Sequence, residues 1–101
     1  METKDQNHLR KFLKLERATA TIIDDGVTAI RKVWKTPNGC LHRDFGPAIE
    51  WKHGGKEWYQ DGKLHRETGP AVDFEDYKQY WIDGVKLSLA KFERRMKKGR
   101  K

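Results

Sequence analysis

The chain has 101 residues, 37% of them charged and 36% apolar, with a net charge of +7; at this length burial supports one modest core, so 1–101 is read as one domain. An aromatic content of 11% argues against a disordered chain, and the longest apolar run, Tyr80 to Ile82, is far short of a helical membrane span. Cys40 is the sole cysteine, which excludes an internal disulfide and a multi-Cys zinc cage. No apolar signal-peptide core follows Met1, so a soluble, cytoplasmic protein without membrane contact is expected.

Residues 1–17 form an N-terminal segment. Within it Leu9, Phe12 and Leu13 have helical spacing, while Lys14 and Leu15 blur the stripe, so helix and strand both remain open. Residues 18–85 then predict hairpins. Ala18 to Asp24 and Val27 to Lys35 flank Asp24-Asp25-Gly26, whose acids are turn residues. From Asn38 a duplication begins: the stretch Asn38 to Trp51 realigns on Asp61 to Phe74 at an offset of 23. It matches Leu41, His42, Arg43, Gly46, Pro47 and Ala48 with Leu64, His65, Arg66, Gly69, Pro70 and Ala71. Lys56 to Gly62 realigns on Lys78 to Gly84 at an offset of 22, and Lys32-Val33-Trp34-Lys35 before Asn38-Gly39 is a degenerate earlier copy.

Each unit reads as a β-hairpin. Asn38-Gly39, Asp61-Gly62 and Asp83-Gly84 supply residues that accept positive φ in tight turns. Gly-Pro at 46–47 and 69–70 marks the start of a strand, because proline has no amide hydrogen to give a ladder. The fold class expected is mainly β: an antiparallel meander of about six strands built from tandem 22–23-residue hairpin repeats, with a C-terminal helix and a possible N-terminal helix. One hairpin cannot bury its own aromatic face, so Trp34, Trp51, Trp58, Phe74, Tyr80 and Trp81 are expected to form the bulk of a shared core.

Residues 86–101 predict a basic helix and tail, with Ser88 as N-cap and Leu89, Phe92 and Met96 along one face. The charge is concentrated here: Lys86 to Lys101 holds eight basic residues and one acid, whereas Asn38 to Val85 holds six and nine. The predicted binding residues are therefore Arg94, Arg95, Lys97, Lys98, Arg100 and Lys101, joined by Arg10, Lys11 and Lys14 from the N-terminal segment. Clustered Lys and Arg bind phosphates by releasing counterions, which would suit DNA or RNA; the same surface also suits an acidic protein.

The stretch Asp61-Gly-Lys-Leu-His-Arg-Glu-Thr-Gly-Pro-Ala71 after Trp58-Tyr59 resembles the H-R-x-x-G-P-A hairpin repeats of many small bacteriophage and giant-virus proteins. It is also distantly similar to MORN repeats, but Arg43 and Arg66 stand where that family usually has Gly, so the lipid binding suggested for some MORN proteins is not implied. The viral resemblance implies a scaffold used for binding, with a host protein or protein complex as partner and the host cytoplasm as location.

Reactive residues were weighed against structural use. His42 and His65 could supply acid/base or metal groups, but a repeat delivers identical groups one unit apart instead of different groups at one point. Rings bonded to turn carbonyls, with Arg43 or Arg66 paired to a carboxylate, are expected instead. Glu50, Asp73 and Glu75 are strand acids that could hold Mg²⁺, with Asp73 and Glu75 sharing a face, although a solvated strand explains them equally. Cys40 aligns with Lys63, which predicts an exposed thiol with no catalytic duty. Exposed aromatics could stack on bases, though core packing is the commoner use. The function expected is a non-enzymatic accessory binding protein, without metal or cofactor, that inhibits or redirects a host enzyme or defence complex. It would act as a monomer or a homodimer joined through edge strands. The alternatives are nucleic-acid or ribonucleoprotein binding through the basic helix and, far behind, a metal-dependent nuclease.

Overall fold

In the computed structural model, which describes residues 16–24, 26 and 30–99, the Asp-Gly pairs set the hairpins. Asp61 and Gly62 have φ of +51° and +83°, and Asp83 and Gly84 have +50° and +81°. Two consecutive positive values define the two-residue turn whose twist matches that of the strands it joins. The elements in chain order are β1 (Thr19–Ile23), β2 (Arg31–Lys35), β3 (Ile49–Trp51), β4 (Lys56–Glu57), β5 (Tyr59–Gln60), β6 (Lys63–Leu64), β7 (Val72–Asp73), β8 (Lys78–Ile82), β9 (Val85–Leu87) and α1 (Leu89–Gly99). Seven strands form one antiparallel sheet in the order β1-β2-β3-β4-β7-β8-β9, and β5 pairs with β6 alone.

This is the expected antiparallel meander with its C-terminal helix, divided more finely than six strands. The division has a local cause. Trp58 interrupts the ladder between β4 and β5, because its amide donates to Ala71 O while its carbonyl accepts from the His65 amide. The upstream hairpin pairs β1 with β2 from Thr19↔Lys35 to Ile23↔Arg31; its second strand is described from Arg31, and residues 27–29 of the expected strand lie outside the described residues. The possible N-terminal helix lies outside the described residues.

The core differs from the expected aromatic one. Its buried apolar members are Val33, Trp34, Ala48, Ile49, Ala71, Val72, Ile82 and Phe92; Trp51, Trp58, Phe74, Tyr80 and Trp81 are half-buried. The molecule is 19 Å across its thinnest direction, so the described sheet leaves its large rings partly open. The innermost residues are instead Ala48 and Ala71, both 0% exposed. Each sits where backbones converge: the Ala48 amide donates to Glu57 O while its carbonyl accepts from the Trp34 amide, and Ala71 does the same between Gln79 O and the Trp58 amide, all at 2.8 Å. A larger side chain there would push the strands apart.

Helix α1 starts where Ser88 Oγ accepts from the Lys91 amide at 3.2 Å, the expected N-cap. Phe92 is buried against Tyr80, ring centroids 4.9 Å apart. Leu89, expected on the same face, is 49% exposed.

Candidate functional site

The duplicated residues explain one another atom by atom. In the first unit His42 Nδ1 accepts the Asp61 amide at 2.9 Å, and in the second His65 Nδ1 accepts the Asp83 amide at 3.0 Å. Each imidazole thus secures the Asp-Gly turn of the following unit. The expected bonds to turn carbonyls are not what forms: the turn amide is the group that needs a partner, and an imidazole nitrogen supplies the acceptor. The carbonyl of the residue before each His makes a parallel link, since the amides of Gly62 and Gly84 donate to Leu41 O and Leu64 O.

The arginines lie flat on aromatic faces. The Arg43 guanidinium is 3.7 Å from the Trp34 ring centre, and that of Arg66 is 3.6 Å from Trp58. Nη1 of each donates to a proline carbonyl, Pro47 or Pro70. The glycines before those prolines keep the guanidinium's other side clear: a Cβ on Gly46 or Gly69 would approach the arginine to 2.9 or 3.0 Å. The H-R-x-x-G-P-A pattern is therefore a packing unit of indole, guanidinium and glycine, clamped to the next turn by histidine. Its third instance is modified. Tyr80 takes the place of Trp34 and Trp58, and Phe92 of α1 covers it where an arginine would be.

The two units diverge in their acids. Arg43 Nη1 is 3.2 Å from Glu50, as expected of an arginine beside a carboxylate. Arg66 makes no carboxylate pair among the described residues, and its Nε is buried without a hydrogen-bond partner. Burial accordingly draws the Arg66 guanidinium below its ordinary value, with Asp73 partly offsetting the effect.

Only the first unit receives Glu16 and Arg17. Arg17 Nη2 meets Asp44 Oδ1 at 2.6 Å, Arg17 Nε meets Oδ2 at 2.9 Å, and Nη2 lies 3.2 Å from His42 Nε2. Glu16 accepts the Asp44 and Phe45 amides at 2.7 and 3.0 Å. His42 is 1% exposed and Asp44 Oδ1 is 2.9 Å from its Nε2. With Nδ1 accepting, the proton is assigned to Nε2, which donates to Asp44. The Arg17 guanidinium beside Asp44 holds its carboxyl well below the usual carboxylate range, and hydrogen bonding to Asp44 raises the Arg17 guanidinium in turn.

Donor atoms of Glu16, His42 and Asp44 lie within 4.8 Å of one another, a spacing compatible with a metal ion. The cation seated on the latter two is Arg17, and an ion there would have to displace it and the Nε2 proton. Sequence reasoning missed Glu16 and Arg17. They lie outside the repeat, and an acid-arginine pair just before a strand is a weak signal.

The other sequence candidates fall apart spatially. Asp73 accepts Lys78 Nζ at 2.6 Å, while Glu75 lies in the bend between β7 and β8, not on a strand; the acids form no shared Mg²⁺ face. Cys40 is half-buried and not exposed, because it lies 3.9 Å from where a Gly62 Cβ would be. Its counterpart Lys63 is itself exposed, its aliphatic stem passing 3.6 Å from where a Gly84 Cβ would be, so exposure in one copy does not carry over to the other. Burial and the neighbouring Glu57 carboxylate push the Tyr59 phenol up to about 12. Arg94, Arg95 and Lys97 are exposed on α1, and Lys98 lies in the same helix. Arg100, Lys101, Arg10, Lys11 and Lys14 lie outside the described residues. An aromatic row runs past the β3–β4 and β7–β8 turns, with Trp51 stacked on His53 and Phe74 on the half-exposed Tyr77.

In comparisons with known proteins, the chain matches no family model, no curated protein and no solved structure. Among the described residues no helix is long and apolar enough to cross a membrane.

Proposed function

We propose that this chain is a non-catalytic binding protein whose hairpin-repeat scaffold engages, and inhibits or redirects, a host macromolecular complex, as the resemblance to viral repeat proteins implies. One observation carries this reading. The reactive-looking repeated residues are committed to structure: both histidines to the following turn, both arginines to an indole and a proline carbonyl. Outward, non-repeated groups are left for recognition, and a preorganised sheet loses little entropy when it docks. Capture of a protein from nuclease-treated host lysate by the immobilised full chain, surviving moderate salt, tests it. Retention of nothing beyond an unrelated basic control would refute it.

A second reading, phosphate binding by α1, draws on Arg94, Arg95 and Lys97, which are exposed and make no ion pair among the described residues. Gel retardation across a salt series should show affinity falling steeply with salt. Replacing those three by glutamine should abolish the shift.

A further inference from the structure

The duplication creates two equivalent loops, Asp44-Phe45-Gly46 and Glu67-Thr68-Gly69, yet among the described residues only the first is covered by a peptide. There the Glu16-Arg17 segment, just before β1, presents a carboxylate to the amides of Asp44 and Phe45 and a guanidinium to the Asp44 carboxylate. Its carboxylate also lies 4.0 Å from Arg43 Nε. We infer that the second loop is a vacant copy of this socket, built to receive an extended segment of a partner protein in which an acidic residue is followed by arginine. The inference deepens the binding-protein reading and rests on it.

Three features of the second loop match what the first satisfies with Glu16-Arg17. The amides of Glu67 and Thr68, equivalent to the two that Glu16 caps, have no acceptor among the described residues. Arg66 Nε, equivalent to the atom facing Glu16, is the buried side-chain nitrogen without a partner. The Glu67 carboxylate, equivalent to Asp44, is 69% exposed and 3.4 Å from His65 Nε2, just as Asp44 sits beside His42. An open cleft of about 360 Å³ lies between the two loops, lined by Arg66, Glu67 and Thr68 of the second, Arg43 and Asp44 of the first, and Trp58. Exposure of the histidines follows occupancy: 1% for the ring that Arg17 covers and 17% for His65.

Charge complementarity selects the ligand. A carboxylate answers two amides and a desolvated guanidinium, and an arginine answers an exposed glutamate next to an imidazole, in a geometry suited to bidentate pairing. A lone anion would leave Glu67 opposed, and a lone cation would face Arg66. The resident segment shows that the side chains of two adjacent residues reach both positions.

The test titrates a capped peptide of this chain's residues 14–19 into the ¹⁵N-labelled full chain. The amide resonances of Glu67 and Thr68 should move downfield and saturate at one peptide per chain. Peptides with Glu16→Gln or Arg17→Ala, and the protein variant Glu67→Lys, should each bind at least tenfold more weakly. Glu67 is exposed, so its variant keeps the fold, which the unmoved amides of the first unit would verify. No saturable movement at 67 and 68, equal affinity in Glu67→Lys, or movement confined to Asp44 and Phe45 would overturn the socket. Self-association of the free chain that Glu67→Lys abolishes would assign the socket to a second copy and overturn the partner assignment. Success in lysate capture without peptide binding would remove the socket alone; peptide binding without capture would remove the host-complex reading alone.

Discussion

His42→Ala probes the clamp at its most buried point. The ring is 1% exposed, accepts the Asp61 amide and donates to Asp44. Its removal orphans a part-buried amide, at about 1–3 kcal/mol, and leaves a void that the neighbouring turns fill incompletely. A total near 3 kcal/mol follows. The same change at His65 removes an equivalent turn bond, but the ring is 17% exposed, so water can replace the nitrogen; about 1 kcal/mol is expected there. A domain of this size has about 5–15 kcal/mol of stability, so both variants should fold and be measurable. With an m-value of about 1–1.5 kcal/mol/M, the urea midpoint should drop by roughly 2–3 M for His42→Ala and by roughly 0.7–1 M for His65→Ala. His42→Asn places an amide oxygen near the Nδ1 position and should recover about half of the loss. Equal midpoints for the two alanine variants, or a loss under about 0.5 kcal/mol at His42, would refute the clamp.

Acid should expose the Asp44 pair. Because this carboxyl is held below its unfolded value, its stabilisation is complete above about pH 4 and is lost as pH falls below that. The difference in urea midpoint between wild type and Asp44→Asn should therefore shrink progressively from pH 5 to pH 2. Arg43→Met should cost about 1–2 kcal/mol in urea unfolding, since it strands Glu50. Arg66→Met loses the Trp58 contact and the Pro70 bond but strands no carboxylate and removes a buried unpartnered Nε, so it should cost less than Arg43→Met, about 0.5–1 kcal/mol. Phe92→Ala removes a side chain 6% exposed that covers Tyr80. About 3 kcal/mol should be lost, with a fall in helical ellipticity at 222 nm as α1 undocks.

Much of the architecture was legible in the chain itself, because it is local and repeated. Asp-Gly and Gly-Pro announce where hairpins turn and strands begin, and Asp61-Gly62 and Asp83-Gly84 adopt the positive φ those residues permit. The repeat also marks His42, His65, Arg43 and Arg66 as structural before any coordinate is known. The interior was misjudged because size was taken for depth. In a one-layer sheet the deepest points are where neighbouring backbones come closest, and only Ala48 and Ala71 fit there.

What the sequence alone determined, then, is the period, the turn positions, the antiparallel pairing and the basic C-terminal helix, since each follows from near-neighbour chemistry. Tertiary structure decided which atom of each imidazole meets which turn, that Phe92 stands in for a third arginine, and that Glu16-Arg17 caps the first of the two loops. Those relations join residues from 12 to 29 positions apart. No local pattern encodes which of two equivalent loops a distant segment will cover; the path of the chain through space does.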